Sequence, residues 1–228
     1  MPYPPVPTVT RTFLGPPPRG ADMDDDAAET GTGDATACMD GLSVRGCERC
    51  PDLVASRSRI VDGDGPADAA LLFVGEAPGA QEDEEGVPFV GRSGDVLEET
   101  LREVGIDRAE VRITNCVRCR PPDNRDPRTG ELANCRPYLL AEIERVDPEL
   151  VVAIGKVPAE HLLGRDVAVT SEAGDVVDCD LDGRRKVLVS VHPAATLYDP
   201  SQSETLRAAL RTAADYAGEG GQSTLGEF

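Results

Sequence analysis

Short apolar runs alternate with amphipathic stretches along most of this chain, and this alternation limits the fold more than any other feature. From Ala69 onward, the runs AALLFVG, VRITN, ELVVAIG and KVLVSVH are each followed by a stretch with helical spacing of apolar residues. Such runs are typical of parallel strands buried on both faces, with helices covering them. The sequence therefore predicts an α/β fold: a three-layer α/β/α sandwich around a four-stranded parallel sheet. An Asp182-Gly183 turn before the last run predicts that the fourth strand is entered through a hairpin.

The segments on either side of this repeat differ from it in composition. Residues 1–36 contain seven prolines and an acidic run but little apolar material, which predicts a disordered N-terminal arm. Residues 37–217 form the predicted folded domain, and the glycine-rich residues 218–228 predict a flexible tail. No run of about 18 apolar residues occurs, so neither a signal peptide nor a membrane span is expected. The protein is expected to be cytoplasmic and monomeric.

Polar and aromatic residues follow three of the four predicted strands. The first strand leads into GEAPGAQEDEEGVPFVG, the second ends at Asn115, and the fourth ends at His192, one of two histidines in the chain. Ligands of open parallel sheets bind beyond the carboxyl ends of the strands, so these segments are expected to converge on one cleft. Taken singly, each also fits an ordinary turn, cap or loop residue.

Four of the seven cysteines have the spacing of a metal or cluster site. Cys47 and Cys50 form a CxxC pair, Cys119 follows after 68 residues, and Cys135 follows after 15 more. In a reducing compartment such thiols are more often metal ligands than disulfide partners. From spacing alone, a zinc ion fits nearly as well as an iron-sulfur cluster, because both need four thiolates brought together. The remaining thiols are interpreted as buried or bystander groups: Cys38, Cys116 and Cys179.

The net charge of -19 is unfavourable for binding nucleic acid, because phosphate contacts depend on basic surface. Two features weaken this objection. Only two of the 23 basic residues are lysines, and acidic residues are in excess, a composition that suggests a halophile. In a salty cytosol the Debye length is short, roughly 3 Å at 1 M salt, so the repulsion between protein and DNA would be screened. Between Cys116 and Arg136, moreover, five arginines accompany three acidic residues, which predicts a locally basic segment.

The motifs at the strand ends resemble those of one enzyme family. GEAPG followed by ED and PFVG, then TN-x-x-x-CRPPxNRxP, then HPAA, have the order and spacing of the family 4 uracil-DNA glycosylases, over roughly Cys47 to Tyr216. The resemblance implies a DNA-repair enzyme that flips uracil out of DNA and hydrolyses its N-glycosidic bond, leaving an abasic site. It also implies a [4Fe-4S] cluster on the four spaced cysteines, with structural zinc as the alternative.

The resemblance and the residue chemistry together assign roles in such a reaction. Phe89 would stack on the flipped base, and the amide of Asn115 would pair with uracil N3–H and O4, where cytosine presents the opposite pattern. His192 would donate a hydrogen bond to uracil O2, where negative charge develops. Two carboxylates are also predicted to act, Glu76 on the attacking water and Glu82 in the exclusion of thymine. The turn residues expected to contact the base are Gly75 and Ala77.

Contacts to the rest of the DNA are predicted from two segments. The basic segment would contact phosphates through Arg118, Arg120 and Arg125. The HPAATL segment would insert Ala195 and Leu197 into the gap left by the flipped nucleotide.

The C-terminal residues suggest a protein partner. Gln222, Leu225 and Phe228 have the spacing Q-x-x-L-x-x-F, which resembles the peptide by which repair proteins dock on the sliding clamp, PCNA. A frayed tail is the alternative for this segment. For the whole chain, the alternative is a non-catalytic iron-sulfur or zinc protein that binds DNA or is recruited by the clamp. The intact set of stacking, amide and histidine residues argues against that alternative.

Overall fold

The structure is a computed structural model and describes residues 38–181 and 183–222. Its central element is a five-stranded sheet. A short ribbon precedes it, formed by β1 (Met39–Asp40) and β2 (Ser43–Val44). The strands of the sheet are β3 (Leu71–Gly75), β4 (Arg112–Asn115), β5 (Leu150–Ile154), β6 (Val176–Asp180) and β7 (Arg184–Ser190), in the spatial order β4-β3-β5-β7-β6. The predicted N-terminal arm, residues 1–36, lies outside the described residues.

The sheet contains one strand more than the sequence predicted. β4, β3, β5 and β7 run parallel, as predicted, and β6 pairs with β7 in the antiparallel direction. The predicted hairpin is therefore present, but its first arm joins the sheet as a fifth, edge strand. Every residue of β3 and β5 is buried, whereas the residues of β6 are half-buried or exposed. An edge strand has one neighbour and needs no continuous apolar run, so the apolar pattern of β6 is too weak to predict it as a sheet member.

Helices cover both faces of the sheet. The α-helices of the described residues are α1 (Pro51–Ser56), α2 (Ala80–Glu85), α3 (Arg92–Glu103), α4 (Thr129–Val146), α5 (Lys156–Leu163), α6 (Val169–Glu172), α7 (Pro193–Thr196) and α8 (Gln202–Gln222). Two short 3-10 helices span Arg108–Glu110 and Pro122–Asn124. α3 and α8 pack on one face and α4 and α5 on the other, so the predicted three-layer arrangement is confirmed. Within the described part of the chain, no helix has the length and apolar content to cross a membrane.

The two cores follow from the alternation of side chains along each strand. In β3, Leu71 and Phe73 point into the core shared with α3 and α8, and Leu72 and Val74 point into the core shared with α4 and α5. Fully burying a side chain of this kind stabilises the fold by about 1.5–3 kcal/mol. Because both faces of the strand are covered, the strand must be apolar throughout, and this pattern is what made the sheet predictable.

Helix α8 extends further than the sequence predicted. It continues to Gln222, so residues 218–222, which were expected to belong to the flexible tail, are helical. Glycine inside a helix costs roughly 1 kcal/mol relative to alanine, which is why the sequence suggested an earlier end. The helix is supported by its first turns, where Leu206, Leu210 and Ala213 are buried against the sheet. The helix thus continues through its last glycines, although glycine has a low helix propensity.

The carboxyl ends of the parallel strands meet at one edge of the sheet. Gly75 of β3 is paired in register with Asn115 of β4, and Ile154 of β5 is paired with Ser190 of β7. Two residues after Ser190, His192 begins α7 as its N-cap residue. The register therefore brings the three predicted segments to the same edge.

Candidate active site

Gly75 allows two of the predicted side chains to meet. A Cβ atom built on Gly75 would lie 2.3 Å from Asn115 Oδ1 and 2.5 Å from Phe89 Cε2. Both distances are far below van der Waals contact, so only glycine permits the amide and the phenyl ring to approach this point of the backbone. The next residues, Glu76 and Ala77, are half-buried in the turn that follows β3.

The loop between α2 and α3 fixes Phe89 in an unusual conformation. Its φ of 56° lies in the left-handed region, which costs a non-glycine residue about 1–3 kcal/mol and persists only where the surroundings enforce it. Glu82 supplies that enforcement, because its carboxylate accepts the backbone N–H of Gly79 at 2.5 Å and the backbone N–H of Phe89. Gly94 leaves the space that this conformation needs, since a Cβ atom there would lie 1.8 Å from the carbonyl oxygen of Phe89. The position of the phenyl ring is therefore determined by the fold.

Asn115 presents an unpaired amide donor. The residue is only 2% exposed, and its Nδ2 has no hydrogen-bond partner among the described residues. Leaving such a donor unpaired in the interior costs about 1–3 kcal/mol. Most buried polar groups are paired, and an exception of this kind is typical of a group kept for a ligand.

His192 is held as a neutral hydrogen-bond donor. Its Nδ1 accepts the backbone N–H of Ala194 at 3.1 Å, which leaves the proton of the neutral ring on Nε2. Burial lowers the pKa of His192 to about 4, so the imidazole is uncharged near neutral pH. The ring lies 5.8 Å from the ring of Phe89, between centroids. On its other side Gly155 leaves space, because a Cβ atom there would lie 3.2 Å from His192 Cβ.

Glu76 shares its surroundings with a second carboxyl group, that of Asp126. Burial, followed by the charge and hydrogen bond of Asp126, raises the pKa of Glu76 to about 7. A carboxyl group with such a pKa can accept or release a proton near neutral pH. Asp126 was not singled out from the sequence, where it counted only as one acidic residue of the basic segment. Its position two residues after the asparagine of the PPDNRD run was the available signal.

The prediction that Arg118 contacts phosphate is wrong. The side chain is 2% exposed and lies in an interior ion-pair network. Its Nη1 donates to Asp62 Oδ1 at 2.7 Å and its Nη2 donates to Glu142 Oε2 at 2.6 Å. Arg112 completes the network by donating from Nε to the other oxygen of Glu142 at 2.5 Å. Glu142 is fully buried, and two guanidinium groups compensate its charge.

The other two predicted phosphate contacts also have partners inside the protein. Arg125 forms a two-pronged pair with Glu131, with bonds of 2.8 and 2.6 Å, and this pairing lowers the pKa of the Glu131 carboxyl group. Arg120 donates from Nε to Asn124 Oδ1 at 2.8 Å. Both side chains remain half-exposed, so their contacts with DNA stay predictions. Much of the positive charge of the basic segment is nevertheless paired internally.

The loop after His192 exposes apolar side chains. Leu197 is 44% exposed, as its predicted insertion into DNA requires, and Ala195 is half-buried. The next residue, Tyr198, is 86% exposed. Among the described residues, Leu197 and Tyr198 are the large hydrophobic side chains that face solvent. Tyr198 was not predicted as a site residue, although its place beside Leu197 was visible in the sequence.

The four spaced cysteines line one cavity. Cys47, Cys50, Cys119 and Cys135 share it with apolar residues of α1. Three of their sulfur atoms accept hydrogen bonds, one from the residue after α1 and two from α4. The donors are Arg57 Nη1 to Cys119 at 2.9 Å, Tyr138 Oη to Cys47 at 3.4 Å and Asn134 Nδ2 to Cys50 at 3.4 Å. Donors directed at sulfur fit thiolate ligands, whose charge they stabilise.

The remaining cysteines do not line this cavity. Cys116 is fully buried in the core under α4 and α5, and Cys179 donates to the carbonyl oxygen of Leu162 at 3.2 Å. Cys38 is half-buried and does not line the cavity. Within the described residues, no three His, Cys, Asp or Glu side chains are arranged to hold a single metal ion. Of the predicted clamp peptide, Gln222 ends α8, and Leu225 and Phe228 lie outside the described residues.

Comparison with known proteins identifies the family. The model of the Uracil DNA glycosylase superfamily matches residues 63–214, which include the whole cleft. A type-4 uracil-DNA glycosylase of Thermotoga maritima is 43% identical over 159 residues, which cover 69% of this chain and 81% of the relative. The chain belongs to the type-4 uracil-DNA glycosylases. Another type-4 enzyme, from Archaeoglobus fulgidus, is 35% identical, and the match covers 81% of this chain and 94% of the relative. A third, from Pyrobaculum aerophilum, is 39% identical, and the match covers 69% of this chain and 83% of the relative. The family suggested by the sequence motifs is thereby confirmed.

Proposed function

We propose that this protein hydrolyses the N-glycosidic bond of uracil in DNA and leaves an abasic site, as the first step of base excision repair. The observation that carries the proposal is the convergence of an unpaired buried amide, a fixed phenyl ring and a neutral histidine at one edge of the sheet. The names of the type-4 relatives agree with this chemistry. A base inside a duplex cannot reach such a cleft, so the nucleotide must first flip out, at a cost of a few kcal/mol.

Recognition of uracil rests on Asn115. Its Nδ2 lacks a partner among the described residues and can donate to uracil O4, while its Oδ1 accepts from N3–H. Cytosine presents a donor and an acceptor in the reverse order at these atoms, so both contacts would be repulsive. Phe89 stacks on the flipped base, which contributes about 1–3 kcal/mol.

His192 acts on the leaving group. As the glycosidic bond breaks, its electron pair stays on uracil N1 and the negative charge spreads to O2. The Nε2–H of a neutral imidazole, oriented by the bond from Ala194 to Nδ1, can donate to that oxygen. A donor already in position costs no reorganisation in the transition state.

The two carboxylates take different tasks. Glu76 orients the water that attacks the sugar carbon and accepts a proton from it, and its pKa of about 7 suits this exchange. Glu82 has both carboxylate oxygens bonded to backbone N–H groups. It therefore excludes thymine indirectly, by holding the loop of Phe89 and Gly79 close to the base. Gly75 and Ala77 line the same turn, where the backbone approaches the base.

Four side chains remain as candidate contacts to the flanking DNA. Arg120 and Arg125 lie on the half-exposed segment before α4 and contact phosphates. Ala195 and Leu197 occupy the gap left by the flipped nucleotide. The acidic, arginine-rich composition adapts the protein to a salty cytoplasm, where it acts as a monomer, and the C-terminal peptide docks it on the sliding clamp.

The four cavity cysteines hold a [4Fe-4S] cluster. Cys47, Cys50, Cys119 and Cys135 would each supply one thiolate, and the sulfur-directed bonds from Arg57, Tyr138 and Asn134 support that charge. When bound, the cluster cross-links the segment before α1, the segment after β4 and α4. Purified protein should show a broad visible absorbance that Cys119→Ser abolishes. Zinc in metal analysis, with no such absorbance, would favour the alternative structural metal.

The activity is tested with a labelled duplex carrying one uracil. Wild-type protein should produce abasic sites, seen as strand breaks after alkali, while duplexes with thymine or cytosine at the same position remain intact. His192→Ala should lower the rate at least 100-fold, the scale of losing one such donor. Absence of abasic product from cluster-loaded protein, at both low and high salt, would refute the proposal.

A further inference from the structure

A surface groove lies beside the predicted base-binding cleft. One side is the turn and first residues of α2, Gly79–Glu82, and the other side is Leu197 with Tyr198. The lining also includes Val90, from the loop after Phe89, and Arg92, from the start of α3. Because Glu82 accepts the backbone N–H of Phe89 and Val90 is the next residue of the same loop, the groove adjoins the cleft.

Tyr198 stands in this groove on an ordered turn. Its backbone N–H donates to the carbonyl oxygen of Ala195 at 3.2 Å, and the N–H of the following Asp199 donates to the same oxygen at 2.9 Å. The ring is nonetheless 86% exposed. The other described tyrosines differ, since Tyr138 is buried and Tyr216 packs against the core. A large aromatic ring held in solvent by a fixed backbone is suited to stacking on a partner.

Arg92 supplies an unpaired positive charge in the same groove. Its side chain is exposed and makes no hydrogen bond or ion pair with any residue of the described part of the chain. This differs from the predicted phosphate contacts, because Arg118 is buried in ion pairs and Arg125 is paired with Glu131. In a chain of net charge -19, an uncompensated guanidinium beside an exposed ring matches a nucleic-acid strand, which offers both phosphates and bases.

We infer that this groove binds the DNA strand next to the flipped nucleotide, with Tyr198 stacked on a neighbouring base and Arg92 bound to a phosphate. The inference rests on the proposed function, since the flipped nucleotide places the strand here. Leu197 fills the vacated position in the stack, and Tyr198, one residue on, extends the contact along the strand. The paired arginines of the basic segment contribute less.

Binding is measured by fluorescence anisotropy on the duplex product, which carries an abasic site, so that no turnover is needed. Tyr198→Ser should weaken binding roughly tenfold, the scale of one lost stacking contact, whereas Tyr198→Phe should stay within about twofold. Arg92→Gln should weaken binding at low salt and lower the slope of log affinity against log salt by about 0.9, as expected for one phosphate. Arg102→Gln, at the opposite end of α3, is the matched control and should change neither quantity.

The outcomes are separable from those for the proposed function. If Tyr198→Ser binds as wild type does, or if Arg92→Gln behaves like Arg102→Gln, the groove assignment is wrong even when uracil is released normally. If wild type releases no uracil, the proposed function fails while the binding series still reports on the groove. The effect of Tyr198→Ser should persist at high salt, because stacking is not screened, while that of Arg92→Gln should vanish.

Discussion

Replacing Gly75 with alanine should disable the cleft with only a moderate loss of stability. The new Cβ atom would lie 2.3 Å from Asn115 Oδ1 and 2.5 Å from Phe89 Cε2, each about 1 Å short of ordinary van der Waals contact. Neither neighbour can retreat freely. The backbone of Asn115 is paired with Gly75 in the sheet, and the backbone of Phe89 is held by Glu82 and packs closely on Gly94. The amide, the ring or the strand must therefore shift by about 1 Å.

The magnitude follows from that displacement. A misplacement of 1 Å in a positioned site costs on the order of 100-fold in rate, so kcat/KM for uracil release should fall by about that factor. Overpacking costs about 1–3 kcal/mol, and each kcal/mol lowers Tm by about 2–4 °C for a domain of this size. Initial rates on the uracil duplex, measured well below the lower Tm, separate the two effects.

Gly130→Ala is the matched control for this substitution. A Cβ atom at Gly130 meets nothing within 4 Å, and the residue lies in the first turn of α4 with ordinary helical geometry. The variant should retain wild-type activity and be equally or slightly more stable. Wild-type kcat/KM in Gly75→Ala would show that the close contact of the amide and the ring is not required, and the geometric account of the cleft would have to be abandoned.

Three further outcomes are expected. The rate of uracil release should fall as pH decreases through about 7, because the carboxyl group of Glu76, whose pKa is raised, becomes protonated below that pH. Asp126→Asn should shift the midpoint of this pH profile downward. An unchanged midpoint would exclude Asp126 as a cause of the raised pKa. Arg118→Met should lower the free energy of unfolding by about 3–5 kcal/mol, since it removes a partner of buried Glu142; loss of DNA affinity at unchanged Tm would instead restore the phosphate role. Glu82→Gln leaves one acceptor for two backbone donors, so kcat/KM should fall about tenfold, and normal rates with normal exclusion of thymine would contradict the supporting role.

The part of the fold that the sequence predicted is the part governed by local pattern. The run LLFVG had to be buried on both faces, and the residue that ends it, Gly75, was therefore expected at the carboxyl edge. Asn115 and His192 followed by the same reasoning. Strand β6 was missed as a sheet member because an edge strand leaves no continuous apolar signature.

The burial of Arg118 could not be predicted from its neighbours in the sequence. Its acidic partners lie 24 and 56 residues away, at Glu142 in α4 and Asp62 before β3. An arginine in a run of arginines indicates surface charge, and only the folded chain shows that the segment after β4 places this side chain in the interior. Asp126 and Tyr198 are similar cases. The interaction of Asp126 with Glu76 and the exposure of Tyr198 both depend on segments that are distant in the sequence.

The backbone at Phe89 also limits how base selectivity can be changed by engineering. Its left-handed conformation disfavours valine, isoleucine and threonine on steric grounds, whatever their fit to a base. A mutant library at this position would thus yield many variants with a misfolded loop and few with a new base specificity. Variation at Ala77 and Val90, which have no such restriction, offers a wider choice of side chains near the same pocket. New base specificities are therefore expected to arise more readily at the neighbours of Phe89 than at Phe89 itself.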